Sequence, residues 1–192
     1  RQLLLAGDLA GVTVGRARLV RRGERNLLLV ATSLERAVGR ASIDNWGTDA
    51  IGPVRARLSV DVNGVIGFGD RLSVGGALTP LQPREFQLVH AAYSVPLGQD
   101  GTEAGVRGYL SRSAAGGALR DRDLAGDSSE IELRLSHPLL RSRERSLWAH
   151  GQFAVRDSTL DRDGARLRDE RIVTATGTLY GTARLARGLV RA

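Results

Sequence analysis

At 192 residues the chain is long enough for one domain with a core, and its net charge of +7 is carried on the basic side by Arg alone. It has no Cys, which excludes disulfides and thiolate metal sites, and no Met, so it reads as a fragment or a mature piece. No run of about 18 apolar residues occurs, which excludes a transmembrane helix and leaves a membrane β-barrel open.

Taken in order, Arg1 to Leu9 reads as the last turns of a helix, with Leu3, Leu4, Leu5 and Leu9 on a broad apolar face. Gly11 ends it. Val12 to Val20 and Asn26 to Ser33 are expected strands on either side of a charged turn, Arg21 to Arg25. These first 35 residues are too few to bury a core alone.

From Arg36 the pattern is pure β. Ala37 to Asn45 is a strand, followed by an Asn-Trp-Gly turn. The stretch Val54 to Thr79 carries the cleanest signal. Val54, Ala56, Leu58, Val60 and Val62 alternate with Arg55, Arg57, Ser59 and Asp61. After a Gly-rich break, Leu72, Val74, Gly76 and Leu78 alternate with Arg71, Ser73 and Gly75. A period of two over this length marks strands with one apolar and one polar face, here joined as a hairpin. Glu85 to Val95 and Glu103 to Arg112 follow, then a polar stretch, Ser113 to Ser128, expected as a loop. Ser129 to Leu139 is the second clean strand, with Ile131, Leu133 and Leu135 against Glu130, Glu132, Arg134 and Ser136. Leu147 to Asp157 places Leu147, Ala149, Gly151, Phe153 and Val155 opposite Trp148, His150, Gln152 and Arg156. Ser158 to Asp169 is expected as a second long charged loop, and Glu170 to Arg184 as a last strand. Leu185 to Ala192 carries no usable signal.

The count from Ala37 is about eight strands, near the roughly 9–11 residues that a tilted membrane strand needs. Soluble strands centre on about 5–6 residues. Short turns after the second, fourth and sixth strands, and long loops after the fifth and seventh, are the layout of an outer-membrane barrel. Aromatic residues are only 4% of the chain, thin for two interfacial girdles, and a soluble β-sandwich also alternates. Both architectures are all-β.

Several segments resemble one family. Ser42-Ile43-Asp44-Asn45-Trp46-Gly47 with Ile51-Gly52 resembles the first barrel hairpin of the two-partner secretion (TpsB) transporters. These form the haemolysin activator and secretion family (ShlB/FhaC/HecB type) within the Omp85 superfamily. Gly67 to Ser73 resembles that family's first periplasmic turn, Ala92 to Gly98 the end of its fourth strand, and Leu133 to Arg145 its sixth strand and turn. Leu3 to Val14 and Leu27 to Val30 are similar to the end of a POTRA domain. The resemblance covers roughly residues 1–157, and the last stretch departs from any such pattern. It implies a 16-stranded transmembrane barrel after two POTRA domains, in the outer membrane of a Gram-negative bacterium, exporting a large TpsA-like partner. Residues 1–35 would then be the C-terminal part of a POTRA domain, and residues 36–192 the N-terminal half of the barrel as an antiparallel meander.

The residues themselves offer no chemistry of bond breaking. His90, His137 and His150 fall on different strands without a ligand partner at metal spacing, so no metal or other cofactor is expected. There is no GxSxG stretch, and the glycines at Gly64, Gly67 and Gly69 precede a strand, unlike a dinucleotide loop. The basic residues are interleaved with acids, as in Arg120-Asp121-Arg122-Asp123, which argues against a phosphate-binding stripe; neither nucleic acid nor a small-molecule substrate is expected. Val106-Arg107-Gly108-Tyr109 spells a VRGY motif that the family carries on a loop folded into its pore. Here it lies inside an expected strand, so the reading is a coincidence of letters.

The expected site is therefore a lumen. Arg55, Arg57, Arg71, Arg107, Glu130, Glu132, Arg134, His150 and Arg156 are the lumen-facing candidates. Their plain alternative is mutual neutralisation among these Arg residues, Asp61, Glu130 and Glu132. Val54, Ala56, Leu58, Val60, Leu72, Val74, Ile131, Leu133, Leu135, Leu147 and Phe153 are expected to meet outer-membrane lipid. Leu3, Leu4, Leu5 and Leu27 are expected to be unusually exposed. Two other functions fit the pattern: an Omp85-type factor that assembles barrels, and a soluble β-sandwich adhesion module.

Overall fold

A computed structural model describes residues 2–185 and 188–191; Arg1, Ala186, Arg187 and Ala192, which the terminal segments above include, lie outside the described residues. A short helix, α1 (Gln2–Asp8), leads into an antiparallel hairpin of β1 (Val12–Arg22) and β2 (Arg25–Leu34). The chain then forms β3 (Ala37–Asp44), β4 (Arg55–Asn63), β5 (Arg71–Leu78), β6 (Phe86–Leu97), β7 (Thr102–Ala114), β8 (Leu124–Arg141), β9 (Arg145–Arg162), β10 (Ala165–Leu185) and β11 (Gly188–Arg191). β3 to β11 make one nine-stranded sheet in strict sequence order. Among the described residues the only other sheet is the β1–β2 hairpin, so nothing corresponds to the second layer of a sandwich. No helix is long and apolar enough to cross a membrane, which says nothing of strands.

The meander follows from the alternation. Val60 pairs with Val74, Leu133 with Phe153 and Arg107 with Glu132, so like meets like across each ladder. A shift by one residue would turn every apolar side chain to the other face, so the period fixes the register.

Three expectations need correction. The tail without signal holds a ninth strand, β11, which pairs Val190 with Ala183. The loop expected over Ser113 to Ser128 is shorter than that: β7 runs to Ala114, β8 starts at Leu124, and a short 3-10 helix, Gly117–Arg122, lies between. The loop expected over Ser158 to Asp169 is a continuation of β9 and β10 around Asp163 and Gly164, both at positive φ (51° and 75°). An Asp-Gly pair in that conformation is the tight turn of a hairpin. Its flanks are charged because they pair: Arg166 bonds both Asp161 and Asp169, and Arg171 bonds Asp157. Charge that reads as loop in sequence is here a cross-strand ladder.

A single sheet has no interior: among the described residues the buried apolar side chains are Leu5, Ala10 and Val12, at the helix–hairpin junction, and Pro138 on β8. Leu5 therefore departs from expectation. Leu27 is exposed and Leu3 and Leu4 are half-buried, but Leu5 is 6% exposed. It sits against Pro138 and the β6–β7 turn, where Gly101 has φ of 86° and an added Cβ would lie 2.6 Å from the Leu5 side chain. Leu9 packs likewise against Gly69 and Pro96, and Asp8 makes a two-pronged ion pair with Arg141 at 2.8 and 2.7 Å. The helix thus seats on the ends of three hairpins, where a set of its own apart from the meander was expected.

The opposite end of the sheet is closed by loops. Gly116 N–H donates to the Ala50 carbonyl at 2.7 Å, Ala114 N–H to Glu85 at 3.1 Å, and the Thr79 hydroxyl to the Gln82 carbonyl at 2.6 Å. Arg120 reaches the buried Glu85 carboxylate at 3.0 Å.

Candidate functional site

Every lumen candidate lies on one face of the sheet. The register carries the face from strand to strand: Arg71 opposite Asn63, Arg107 opposite Glu132, Glu130 opposite Arg156, Ser136 opposite His150. Because alternate residues share a face, Arg55, Arg57 and Arg134 follow. The aliphatic set lies on the other face, except Val54, which precedes β4. Leu58, Val74, Leu133 and Phe153 are exposed there.

At the centre of the polar face is a five-residue network. Arg107 donates to Glu132 at 3.0 Å and approaches Glu130 at 3.4 Å. Arg134 donates to Glu132 through Nε at 3.0 Å, and Arg156 donates to Glu130 through Nε and Nη2 at 2.9 and 2.7 Å. The carboxylates are buried beneath guanidiniums that stay nearly half exposed. The Arg156 guanidinium also lies over the Tyr109 ring, 5.9 Å from its centroid. Arg107 and Tyr109, two letters of the VRGY stretch, sit on this face as parts of β7.

Two smaller groups flank it. Near β3, Arg40 and Ser73 bond Asp61, Arg57 bonds Asp44, and Arg71 donates to Asn63 at 3.3 Å. Arg55 lies over Phe86 at 5.5 Å. On β9 and β10, Trp148, His150 and Tyr180 stack, with centroids 5.1 to 6.5 Å apart. The histidines are not brought together. His90 and His150 occupy different strands of the polar face, and His137 is on the other face, bonded to Thr102 at 2.8 Å. Among the described residues no group of ligating side chains could hold a metal ion.

What this face offers chemically is a layer of N–H donors over neutralised carboxylates. Both carboxylates are paired, by three guanidiniums between them, whose remaining N–H edges are exposed on this face. Such a surface can make many replaceable hydrogen bonds.

One group escaped sequence reasoning. Asp70 is 1% exposed and accepts from the Val65, Ile66 and Gly67 amides at 2.7 to 2.9 Å and from the Tyr93 hydroxyl at 2.7 Å. Tyr93 is the largest cause, with the three amides, that lowers the carboxyl to about 2, against its burial. Both residues lie in segments singled out above, Gly67 to Ser73 and Ala92 to Gly98. The missing signal was that two motifs 23 residues apart meet in space.

A nine-stranded, two-faced meander with an apolar outer set is the wall of a β-barrel, open here at both edges. Comparisons agree. The chain belongs to the family of haemolysin secretion/activation proteins ShlB/FhaC/HecB, whose model matches residues 23–188. The match extends the resemblance beyond residue 157, into the stretch that showed no family pattern in sequence. Among curated proteins, the heme/hemopexin transporter protein HuxB of Haemophilus influenzae (strain 86-028NP) is 25% identical over 176 residues, 90% of this chain and 30% of HuxB. Among solved structures, CdiB from Escherichia coli superposes with TM-score 0.80 at 20% identity, covering 98% of this chain and 36% of that one. CdiB from Acinetobacter baumannii gives 0.66 at 12% identity, covering 97% and 37%. The chain thus spans about a third of the length of these proteins.

Proposed function

We propose that this chain is part of the wall of an outer-membrane pore that exports a large secreted protein, a two-partner secretion transporter. The observation that carries the reading is that the Arg–Glu network and the aliphatic side chains of the middle of the sheet stand on opposite faces of one continuous sheet, in a chain of this family. The aliphatic face meets lipid and the arginine face lines the lumen. Residues 1–35 are the end of a POTRA domain in the periplasm, and the seat of α1 marks the periplasmic rim. The work is passage without bond chemistry. An unfolded chain slides over guanidinium donors most of which already share a carboxylate, so no single contact traps it.

The face assignment has a physical basis. An Arg on the lipid face at mid-membrane costs about 2–4 kcal/mol. Several such residues together would consume a typical stability of roughly 5–15 kcal/mol. Leu133 and Arg134 are neighbours on β8 that differ in face. In the full-length transporter, Leu133→Arg is expected to impair membrane insertion. Arg134→Leu inserts normally, since Glu132 keeps Arg107, and alters at most conductance. Equal insertion of both, or loss only from Arg134→Leu, reverses the faces. Secretion of the co-expressed partner separates export from barrel assembly: an assembly factor leaves it in the periplasm and lowers other outer-membrane proteins when depleted.

A further inference from the structure

The lipid-facing side of the sheet is not apolar along its whole height. On β7 to β10 it changes abruptly. Ile131, Val155 and Val173 face one another across β8, β9 and β10, Leu110 lies one step further along β7 opposite Ser129, and the next residues of this face toward the loop-closed end are charged or polar. Arg112 on β7 donates to Asp127 on β8 at 2.8 Å, and Arg171 on β10 donates to Asp157 on β9 at 2.7 and 3.2 Å. Each pair bridges two strands, points to the same side as Leu133 and Phe153, and is followed by several more residues of strand.

The arginines are open to solvent, at 74% and 70%, while their aspartates are about half exposed. Arg112 uses only Nε in its pair; among the described residues its two terminal nitrogens have no acceptor. Their donors point where an acceptor from outside the protein would come. From Leu147 to Val155 the aliphatic stretch of β9 spans roughly 27 Å at about 3.4 Å per residue. Tilted by about 40°, that gives about 21 Å of height, near the apolar band of roughly 25 Å of a membrane barrel. The charged row therefore falls where hydrocarbon ends.

We infer that Arg112, Asp127, Asp157 and Arg171 form a charge-paired collar at the level of the lipid headgroups, and that the outer edges of the two guanidiniums take lipid phosphate oxygens. The inference rests on the membrane reading above and adds the position of the bilayer on the wall. The aspartates fix each arginine across two strands and cancel its charge. The outer N–H edge of each guanidinium is thereby held ready for a lipid phosphate oxygen. The parts of β8, β9 and β10 beyond it stand outside the membrane.

Single-cysteine variants of the full-length transporter, labelled with a bimane fluorophore, test the position. The sites are Asp127, Ile131 and Leu133 on one face of β8, in phosphatidylethanolamine vesicles carrying acyl-chain bromines. Leu133→Cys and Ile131→Cys are expected to be quenched several times more strongly than Asp127→Cys. Equal quenching at all three overturns the collar while leaving the pore standing, and failure of every variant to insert overturns the membrane reading as well. The phosphate contact is tested by thermal unfolding in phosphatidylethanolamine against an uncharged glycolipid. The wild type is expected to unfold at a higher temperature in the phosphate lipid. Arg112→Gln with Arg171→Gln is expected to lose that difference and keep its conductance. A double variant that keeps the difference overturns the headgroup contact.

Discussion

The two ends of the sheet are held by different means. At one end a separate element, α1, lies across three hairpin turns, with Leu5 and Leu9 as apolar anchors and the Asp8–Arg141 pair beside them. At the other no foreign element intrudes. The loops bond to one another through backbone carbonyls, and Arg120 closes over Glu85. An apolar seat needs a partner domain to cover it, whereas a self-satisfied polar cluster can face water alone. The sheet is thus anchored by a helix at one end and closed by its own loops at the other.

Substitutions at matched positions can break this comparison. The largest effect is expected from Gly101→Val, which combines a positive φ with a collision against Leu5, at about 4 kcal/mol or more. Gly164→Val at the far tip has the same backbone strain with nothing within 4 Å, and is expected to cost about 1–2 kcal/mol. Urea unfolding in detergent compares the two; equal losses would remove the helix seat from the account. Next, Leu5→Ala is expected to cost about 2–3 kcal/mol as a buried truncation. Leu133→Ala on the exposed face should stay within about 0.5 kcal/mol in the same assay. A smaller pair sharpens the contrast of ion pairs. Asp8→Ala and Glu85→Gln are each expected to cost about 1 kcal/mol. Limited proteolysis should then open the chain near Leu119 only in Glu85→Gln.

The smallest effect is local and depends on pH. Asp70 titrates at about 2 when folded, against an ordinary value near 3.9. A depressed carboxyl contributes its stability fully above the ordinary value and loses it as pH falls through the folded one. The protection of the Val65, Ile66 and Gly67 amides against exchange, taken relative to their intrinsic rates, should therefore fall as pH drops from about 4 to about 2. Tyr93→Phe should move that window upward, and an unchanged window would remove the hydroxyl as the main cause.

Most of the sheet was legible because its alternation is local. Val54 to Thr79 and Ser129 to Leu139 declare their faces within a few residues, and the register adds only the pairing. What escaped depends on residues far apart. Leu5 reads as exposed until the chain returns with Gly101 and Pro138. Asp8 finds Arg141 only across 133 residues. The overhang of β9 and β10 was hidden for a different reason. Over residues 157–169 charged and polar side chains stand on both faces, so alternation vanishes where pairing continues. The polar candidates were all found on one face; Asp61, which holds Arg40, was expected among their neutralising partners, whereas Asp44, which holds Arg57, was not.

The meander itself has a kinetic consequence. Each strand of the sheet pairs only with its neighbours in sequence, so no pairing waits for a distant segment. The entropy of closing each hairpin grows only slowly with its loop, and Asp163-Gly164 closes the longest ladder with a two-residue turn. Topologies built from near-neighbour contacts fold faster than those that join remote segments. The sheet can therefore grow one hairpin at a time, each new strand templated by the exposed edge of the last.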